Sequence, residues 1–293
     1  MKASTPIGVF DSGIGGLTVV AALRALLPTE DIIYFGDTAR VPYGGRSPET
    51  IERYSLEIGR FLEGQTAKII VVACNTASAL AIPSLQSALS IPVIGVVEPG
   101  AAAAVASTHN RKIGIIGTRA TIASNAYAQA IERLAPGTET VSQASPLLVP
   151  LIEEGLLDHS VTFTMIRSYL EEPFSHGIDT LVLGCTHYPL LKESIAKVAG
   201  PDITLVDSAS NCALTVKNLL QEQNALKSSE TSNSQGSIDK HGSLRILLTD
   251  RAGCFLPIAK EALGLKSDRM DFCDLQTGEI TEMQAEQALQ IRH

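Results

Sequence analysis

Two cysteine segments carry the clearest chemistry in this chain: Val71-Val72-Ala73-Cys74-Asn75-Thr76 and Val182-Leu183-Gly184-Cys185-Thr186-His187. Each is an apolar run that ends in a small residue, a cysteine and hydrogen-bonding residues. Each cysteine is therefore expected where a buried strand meets its loop, the place where α/β proteins present reactive groups. A positioned thiolate removes a proton from carbon, and a thiol on the opposite face delivers one. Together they invert a stereocentre. A free thiol has a pKa of about 8.5, so neighbouring groups must tune it. An isolated cysteine reads as a small buried apolar residue; matched contexts reverse that reading for Cys74 and Cys185. Cys212, Cys254 and Cys273 lack such contexts and keep it.

The hard step in such a reaction is negative charge created next to a carboxylate. Hydrogen bonds to that carboxylate and exclusion of water must offset it. Ser12, Asn75, Thr76, Thr118, Thr121 and Thr186 supply neutral donors near strand ends. Taken alone, Asp11 reads equally as a cap for the helix after Gly16, and His187 as a residue satisfying loop backbone. Glu153 and Glu154 read equally as exposed helix-start residues and as groups with a role in the site.

The elements that must position these groups alternate along the chain. Residues 6–10, 32–35, 69–73, 93–97, 113–117, 180–184, 203–206 and 244–248 have strand-like patterns. Segments 16–27, 48–63, 121–134, 161–172 and 189–198 carry helical spacing, so parallel sheets with crossover helices are expected. The glycine-rich Asp11-Ser12-Gly13-Ile14-Gly15-Gly16 follows the first strand and opens the first helix, where backbone N–H groups can receive a carboxylate.

An internal repeat accompanies this alternation. Ile7-Gly8-Val9-Phe10-Asp11-Ser12 parallels Ile113-Gly114-Ile115-Ile116-Gly117-Thr118 at an offset of 106, and Cys74 parallels Cys185 at 111. The strand taken to end at Val97-Glu98 parallels that ending at Val206-Asp207 at 109. The expected fold is α/β, with two pseudo-symmetric doubly wound domains, mainly parallel sheets and the active site between them. Residues 1–98 with 208–293 form the first domain and 99–207 the second. Polar residues 224–243 read as a surface insertion or loop.

Composition narrows the function classes. The 293 residues are 45% hydrophobic and 18% charged, which excludes a disordered polymer and allows two substantial cores. A net charge of −8 without a Lys/Arg cluster argues against nucleic acid as main partner. No apolar run approaches a membrane span, because Asn75, Thr76 and Ser78 interrupt the 69–82 stretch. Asp11 arrives before a signal-peptide core forms, and five cysteines without a small-domain framework fit a reducing compartment. A cytoplasmic protein is expected. The absence of CxxC and HxxxH pairs gives no reason to expect a metal.

The motifs, in order, resemble those of the glutamate racemase family: Phe10-Asp11-Ser12-Gly13-Ile14-Gly15-Gly16, Pro42-Tyr43-Gly44, Ala73-Cys74-Asn75-Thr76, Leu151-Ile152-Glu153-Glu154-Gly155, Gly184-Cys185-Thr186-His187-Tyr188-Pro189-Leu190 and Val206-Asp207-Ser208-Ala209. The likeness covers most of residues 6–215. It implies interconversion of L-glutamate and D-glutamate without a cofactor, supply of D-glutamate for bacterial peptidoglycan, and a homodimer. It implies that Cys74 acts on the D enantiomer and Cys185 on the L enantiomer, with Asp11 and His187 assisting their respective thiols and Glu153 a further helper. Ser12, Tyr43, Gly44, Asn75, Thr76, Thr121 and Thr186 would line the pocket with Asp11 and His187, and Thr118 would stand beside them. An aspartate racemase and a non-catalytic two-lobed amino-acid sensor are the alternatives; His187 favours glutamate, and a sensor gives no reason for both thiols.

Overall fold

Strands covered by helices on both faces must be apolar throughout. The runs β1 (Ile7–Asp11), β2 (Ile32–Gly36) and β3 (Ile69–Val72) are buried along their whole lengths. The computed structural model describes residues 2–227, 242–250, 258–259, 264, 270–273 and 280–283. Helix α1 (Leu17–Leu26) joins β1 to β2, and α2 (Pro48–Gly64) leads to β3. Ser47 caps α2 by accepting the Thr50 N–H at 3.4 Å, and Pro48 occupies the first turn, where a missing N–H costs no intrahelical bond. Helices α3 (Asn75–Leu80) and α4 (Ile82–Ala88) precede β4 (Val93–Gly95), and α5 (Val97–Ser107) crosses to the second sheet.

The second unit runs β5 (Lys112–Gly117), α6 (Arg119–Ala123), α7 (Ala126–Leu134), β6 (Glu139–Ala144), α8 (Leu148–Glu153), α9 (Ser160–Ser175), β7 (Thr180–Gly184), α10 (Lys192–Ala199) and β8 (Thr204–Asp207). Helix α11 (Ser208–Glu222) then returns toward the first sheet, where β9 (Leu244–Leu248) pairs with β2. Strands β10 (Met270–Cys273) and β11 (Ile280–Met283) extend that edge.

The sheet orders are β11-β10-β9-β2-β1-β3-β4 and β6-β5-β7-β8. Thus β2-β1-β3-β4 and β6-β5-β7-β8 have one topology, the doubly wound α/β fold the sequence predicts. Among the described strands only the β10–β11 pair is antiparallel. In each unit the chain winds outward from its first strand to one side and then to the other. The crevice at the reversal opens beyond the carboxyl ends of β1 and β3, and of β5 and β7. Cys74 and Cys185 follow β3 and β7 there. They also belong to different cores: Cys74 packs with Phe10, Tyr43 and Val72, whereas Cys185 packs with Leu183, Tyr188 and Leu191.

Four local expectations change. The extended 93–97 segment stops at Gly95, and Val97 already opens α5, whose alanine-rich sequence favours helix; the repeat partner of β8 therefore ends before Val97-Glu98. The 121–134 helix divides at Asn125, which has a left-handed φ of 54°. The 189–198 helix begins with a tighter turn over Tyr188–Leu191. Strand β6 went unpredicted because only Val141 of its six residues is buried, leaving no apolar run to read. In the polar 224–243 stretch, residues 228–241 lie outside the described residues, as does Cys254. Cys212 and Cys273 are buried.

Candidate active site

Asp11 ends β1, and its fully buried carboxylate is turned back on the loop that follows. Its Oδ2 accepts the Gly13 and Gly16 N–H groups at 3.2 and 3.0 Å, satisfying donors at the start of α1. Burial raises the Asp11 pKa; positive charge on His187 and the backbone N–H groups oppose the rise. Thr186 brings a hydroxyl from the second unit, 3.4 Å from Asp11 Oδ1. Helix α1 has Gly16 at its N-cap and no side-chain cap, so Asp11 braces the loop before the helix rather than capping it, and it also meets Thr186.

Cys74 and Cys185 are 4% and 6% exposed, so each thiol is shielded from bulk water. Cys74 donates to Ser12 Oγ at 3.5 Å. Burial pushes its pKa up to about 12, charge on Asp11 adds to the rise, and the Ala77 N–H and Ser12 hydroxyl oppose it. Charge on Cys185 also raises it. Burial and the Asp11 charge thus both favour the thiol form of Cys74 over the thiolate.

His187 Nδ1 lies 3.9 Å from Cys185 Sγ, and Nε2 lies 3.2 Å from Glu153 Oε1. Burial alone lowers the His187 pKa, but the Cys185 hydrogen bond, then Glu153, carry it up to about 10. The Glu153 contact is an ion pair without hydrogen-bond alignment, since buried Nε2 has no aligned acceptor. Glu153 ends α8 and Glu154 caps it, so neither residue starts a helix. Only Glu153 meets His187.

Neutral hydroxyls close the other side. Thr76 Oγ1 lies 2.9 Å from Thr118 Oγ1 and 3.2 Å from Thr121 Oγ1, and the latter two are 2.9 Å apart. This triangle joins α3 to the start of α6. Two glycines allow the units to approach: a Cβ on Gly15 would stand 2.4 Å from His187 Nδ1, and one on Gly44 2.7 Å from Thr118 Cβ. Tyr43 is placed differently from a pocket-lining hydroxyl. It is buried and donates to Asp37, so only the backbone of the Tyr43-Gly44 turn remains to serve a ligand.

The ten sequence-predicted pocket residues lie at strand ends, on the loops that follow or in the first turns of α3 and α6, and Glu153 lies at the end of α8. Sequence reasoning missed three supporting residues. Asp37 follows β2 as Asp11 ends β1, a signal that was available; it accepts from Tyr43, from Arg40 Nε at 2.7 Å and from Thr249 at 3.0 Å. Tyr127 and Ser208 hydrogen-bond at 2.7 Å beside Asn75, but Tyr127 sits on an ordinary apolar helix face and carried no signal. Among the described residues no group of three His, Cys, Asp or Glu is gathered as a metal site, and no helix is long and apolar enough to cross a membrane.

Residues 17–213 match the model of the Asp/Glu/Hydantoin racemase family. A glutamate racemase of Geobacter metallireducens is 56% identical over 215 residues, covering 73% of this chain and 80% of that protein. The solved glutamate racemase isoform RacE1 of Bacillus anthracis superposes with a TM-score of 0.84 at 40% identity, covering 92% of this chain and 98% of that one. The Francisella tularensis glutamate racemase, solved in complex with D-glutamate, gives 0.84 at 38% identity over 94% and 99%.

Proposed function

The chain belongs to the Asp/Glu/Hydantoin racemase family, and from that premise we propose that it interconverts L-glutamate and D-glutamate by proton transfer between two cysteines, without a cofactor. The observation that carries the reading is the pair of buried thiols at equivalent strand ends, Cys74 after β3 and Cys185 after β7. Relatives named glutamate racemase supply the substrate. The two lobes are assigned to 1–98 with 208–293 and to 99–207, a division supported by sheet membership.

In the L-to-D direction Cys185 takes the Cα proton. The C–H bond breaks, its electron pair is left beside the substrate carboxylate, and an S–H bond forms. Cys74, held as a thiol, gives its proton to the opposite face. His187, as an imidazolium, holds negative charge on Cys185, and Glu153 holds His187. Asp11 assists Cys74 and, with the turns at Ser12, Gly44, Asn75, Thr76, Thr118, Thr121 and Thr186, binds the amino acid. Neutral donors offset developing negative charge without burying a compensating cation. The reverse reaction requires the opposite protonation of the thiols. The product is D-glutamate for peptidoglycan in the cytoplasm, and the working form is a homodimer.

The test is to add purified protein to each enantiomer in turn, without pyridoxal phosphate or metal, and follow optical rotation together with deuterium entry at Cα. Enantiomers have equal free energy in achiral water, so both reactions are expected to end at equal amounts. Activity that appears only with an added cofactor, or a lasting enantiomeric excess, would sink the reading.

A further inference from the structure

Tyr127 is a buried side chain that touches both thiol turns. It lies on the face of α7 that also buries Ala130 and Ile131, a spacing ordinary for a core helix. Its hydroxyl does more than fill space. It accepts from the Asn75 side-chain amide at 2.7 Å and shares a second hydrogen bond of 2.7 Å with Ser208 Oγ. Asn75 is the residue after Cys74. On its other edge the ring lies against Gly184, where a Cβ would stand 3.2 Å from Tyr127 Cε2. Gly184 is the residue before Cys185. The ring also lies against Gly100 in α5, and Ser208 opens α11, so the same side chain sits where the chain passes between the two sheets.

We propose that Tyr127 is a positioning residue that sets the separation of the Cys74 and Cys185 turns and orients Asn75 toward the substrate. The proposal rests on the glutamate reading above. Inversion needs two sulfurs aligned with opposite faces of one carbon, whereas proton removal needs only one. Ala73 shares a core with Cys185, but Cys74 itself packs on the opposite face of β3, so that shared core does not by itself fix where the Cys74 side of the turn stands. Tyr127 supplies a rigid ring between the two turns and a directed bond to one side. Without the hydroxyl, the buried Asn75 amide loses its partner, and the first turn of α3 is free to shift relative to Gly184. A two-thiol reaction then suffers more than a one-thiol reaction.

The experiment compares the unsubstituted protein, Tyr127→Phe and Ser208→Ala in two reactions. One is glutamate racemisation from each enantiomer. The other is elimination from β-chloroglutamate, in which a single thiolate takes the Cα proton, the electron pair forms the Cα–Cβ double bond and chloride leaves. Tyr127→Phe is expected to lower the racemisation kcat on the order of ten- to a hundredfold in both directions. Elimination is expected to fall less than about threefold, with KM little changed. Ser208→Ala removes the hydroxyl's other partner and keeps the Asn75 bond, so it is expected to lower the thermal midpoint comparably while holding the ratio of the two reactions near that of the unsubstituted protein. Equal loss of both reactions in Tyr127→Phe, or the same ratio change in Ser208→Ala, overturns the proposal. If Tyr127→Phe does not fold, Asn75→Ser cuts the same bond from the other end, and an unchanged ratio there overturns it equally. An unsubstituted protein that fails to racemise glutamate sinks the functional reading and this one with it, while an active protein whose ratio survives Tyr127→Phe sinks this one alone.

Discussion

Two buried ionic clusters stand at opposite ends of the first sheet's strands. At the amino end, just before β2 and β3, Glu30 and Lys68 form an ion pair at 2.5 Å with side chains 1% and 0% exposed. The Lys68 ammonium also donates to the Ala225 and Ala3 carbonyls at 2.9 and 3.1 Å, and the second Glu30 oxygen accepts the Lys227 N–H at 2.8 Å. All three ammonium donors have acceptors, and the carboxylate is held on both oxygens. At the carboxyl end, Asp11, Cys74, His187 and Cys185 are also buried; one Asp11 oxygen is held by backbone N–H groups, but the contacts of its other oxygen, of the sulfurs and of His187 are long or misaligned. The Cys185–His187 contact is 3.9 Å, and His187 Nε2 has no aligned acceptor. A satisfied buried charge is a strut, whereas a partly satisfied one keeps capacity for a ligand or a moving proton.

The largest expected effect tests the carboxyl-end cluster as chemistry. Cys74→Ser and Cys185→Ser are each expected to reduce racemisation by at least about a thousandfold, within the range for loss of a positioned acid or base, with little change in stability. Their residual one-thiol chemistry separates the faces: Cys185→Ser should still eliminate from a D-configured β-chloro analogue and Cys74→Ser from an L-configured one. Near-normal racemisation by either variant would overturn the two-thiol reading. Identical losses with both configurations would remove the facial assignment.

The amino-end cluster is expected to break in the opposite sense. Lys68→Met leaves the Glu30 carboxylate buried without its cation, a change that costs about 3–5 kcal/mol. Urea unfolding measures it. The kcat per folded molecule is expected to stay within about twofold of the unsubstituted protein, because the strut lies at the far end of the strands. A catalytic loss as large as that of the cysteine variants, at unchanged stability, would erase the distinction between the clusters.

These two regions also differ in how far sequence exposes them. The seam was legible because chemistry there is written locally: a buried strand, then Cys-Asn-Thr or Cys-Thr-His, repeated at a near-constant offset. The doubly wound fold was legible for the same reason, since fully buried parallel strands such as β1, β3 and β7 are continuous apolar runs. Strand β6 was not, because an edge strand with one buried residue has no such run. Nor was the Lys68–Glu30 strut, whose partners are 38 residues apart and each look like ordinary surface charges. Tyr43 shows a third case. Its position near the site was legible, but the direction of its hydroxyl depends on Asp37, and only tertiary structure supplies that.

The smallest expected effect sharpens the comparison from within the active site. Glu153 is 31% exposed, and its contact with His187 is unaligned, so water screens much of the interaction. It still favours the imidazolium: after the opposing burial and the supporting Cys185 hydrogen bond, it helps bring the His187 pKa to about 10. Removing that negative charge with Glu153→Gln therefore lowers the pKa. The imidazolium is the form present below the pKa, so the alkaline limb of the L-to-D kcat/KM profile is expected to move to lower pH, by less than about one unit. Stability follows the same sign. A histidine pKa raised in the folded state from 6.5 contributes stability that is fully present below 6.5 and lost as pH rises through about 10. Glu153→Gln narrows that window from its alkaline side. At neutral pH His187 remains charged, so the rate is expected to change less than about threefold. An unmoved alkaline limb would make Glu153 a surface neighbour of His187 and leave Cys185 as the group that holds its charge, whereas a loss rivalling Cys185→Ser would make Glu153 part of the proton path itself.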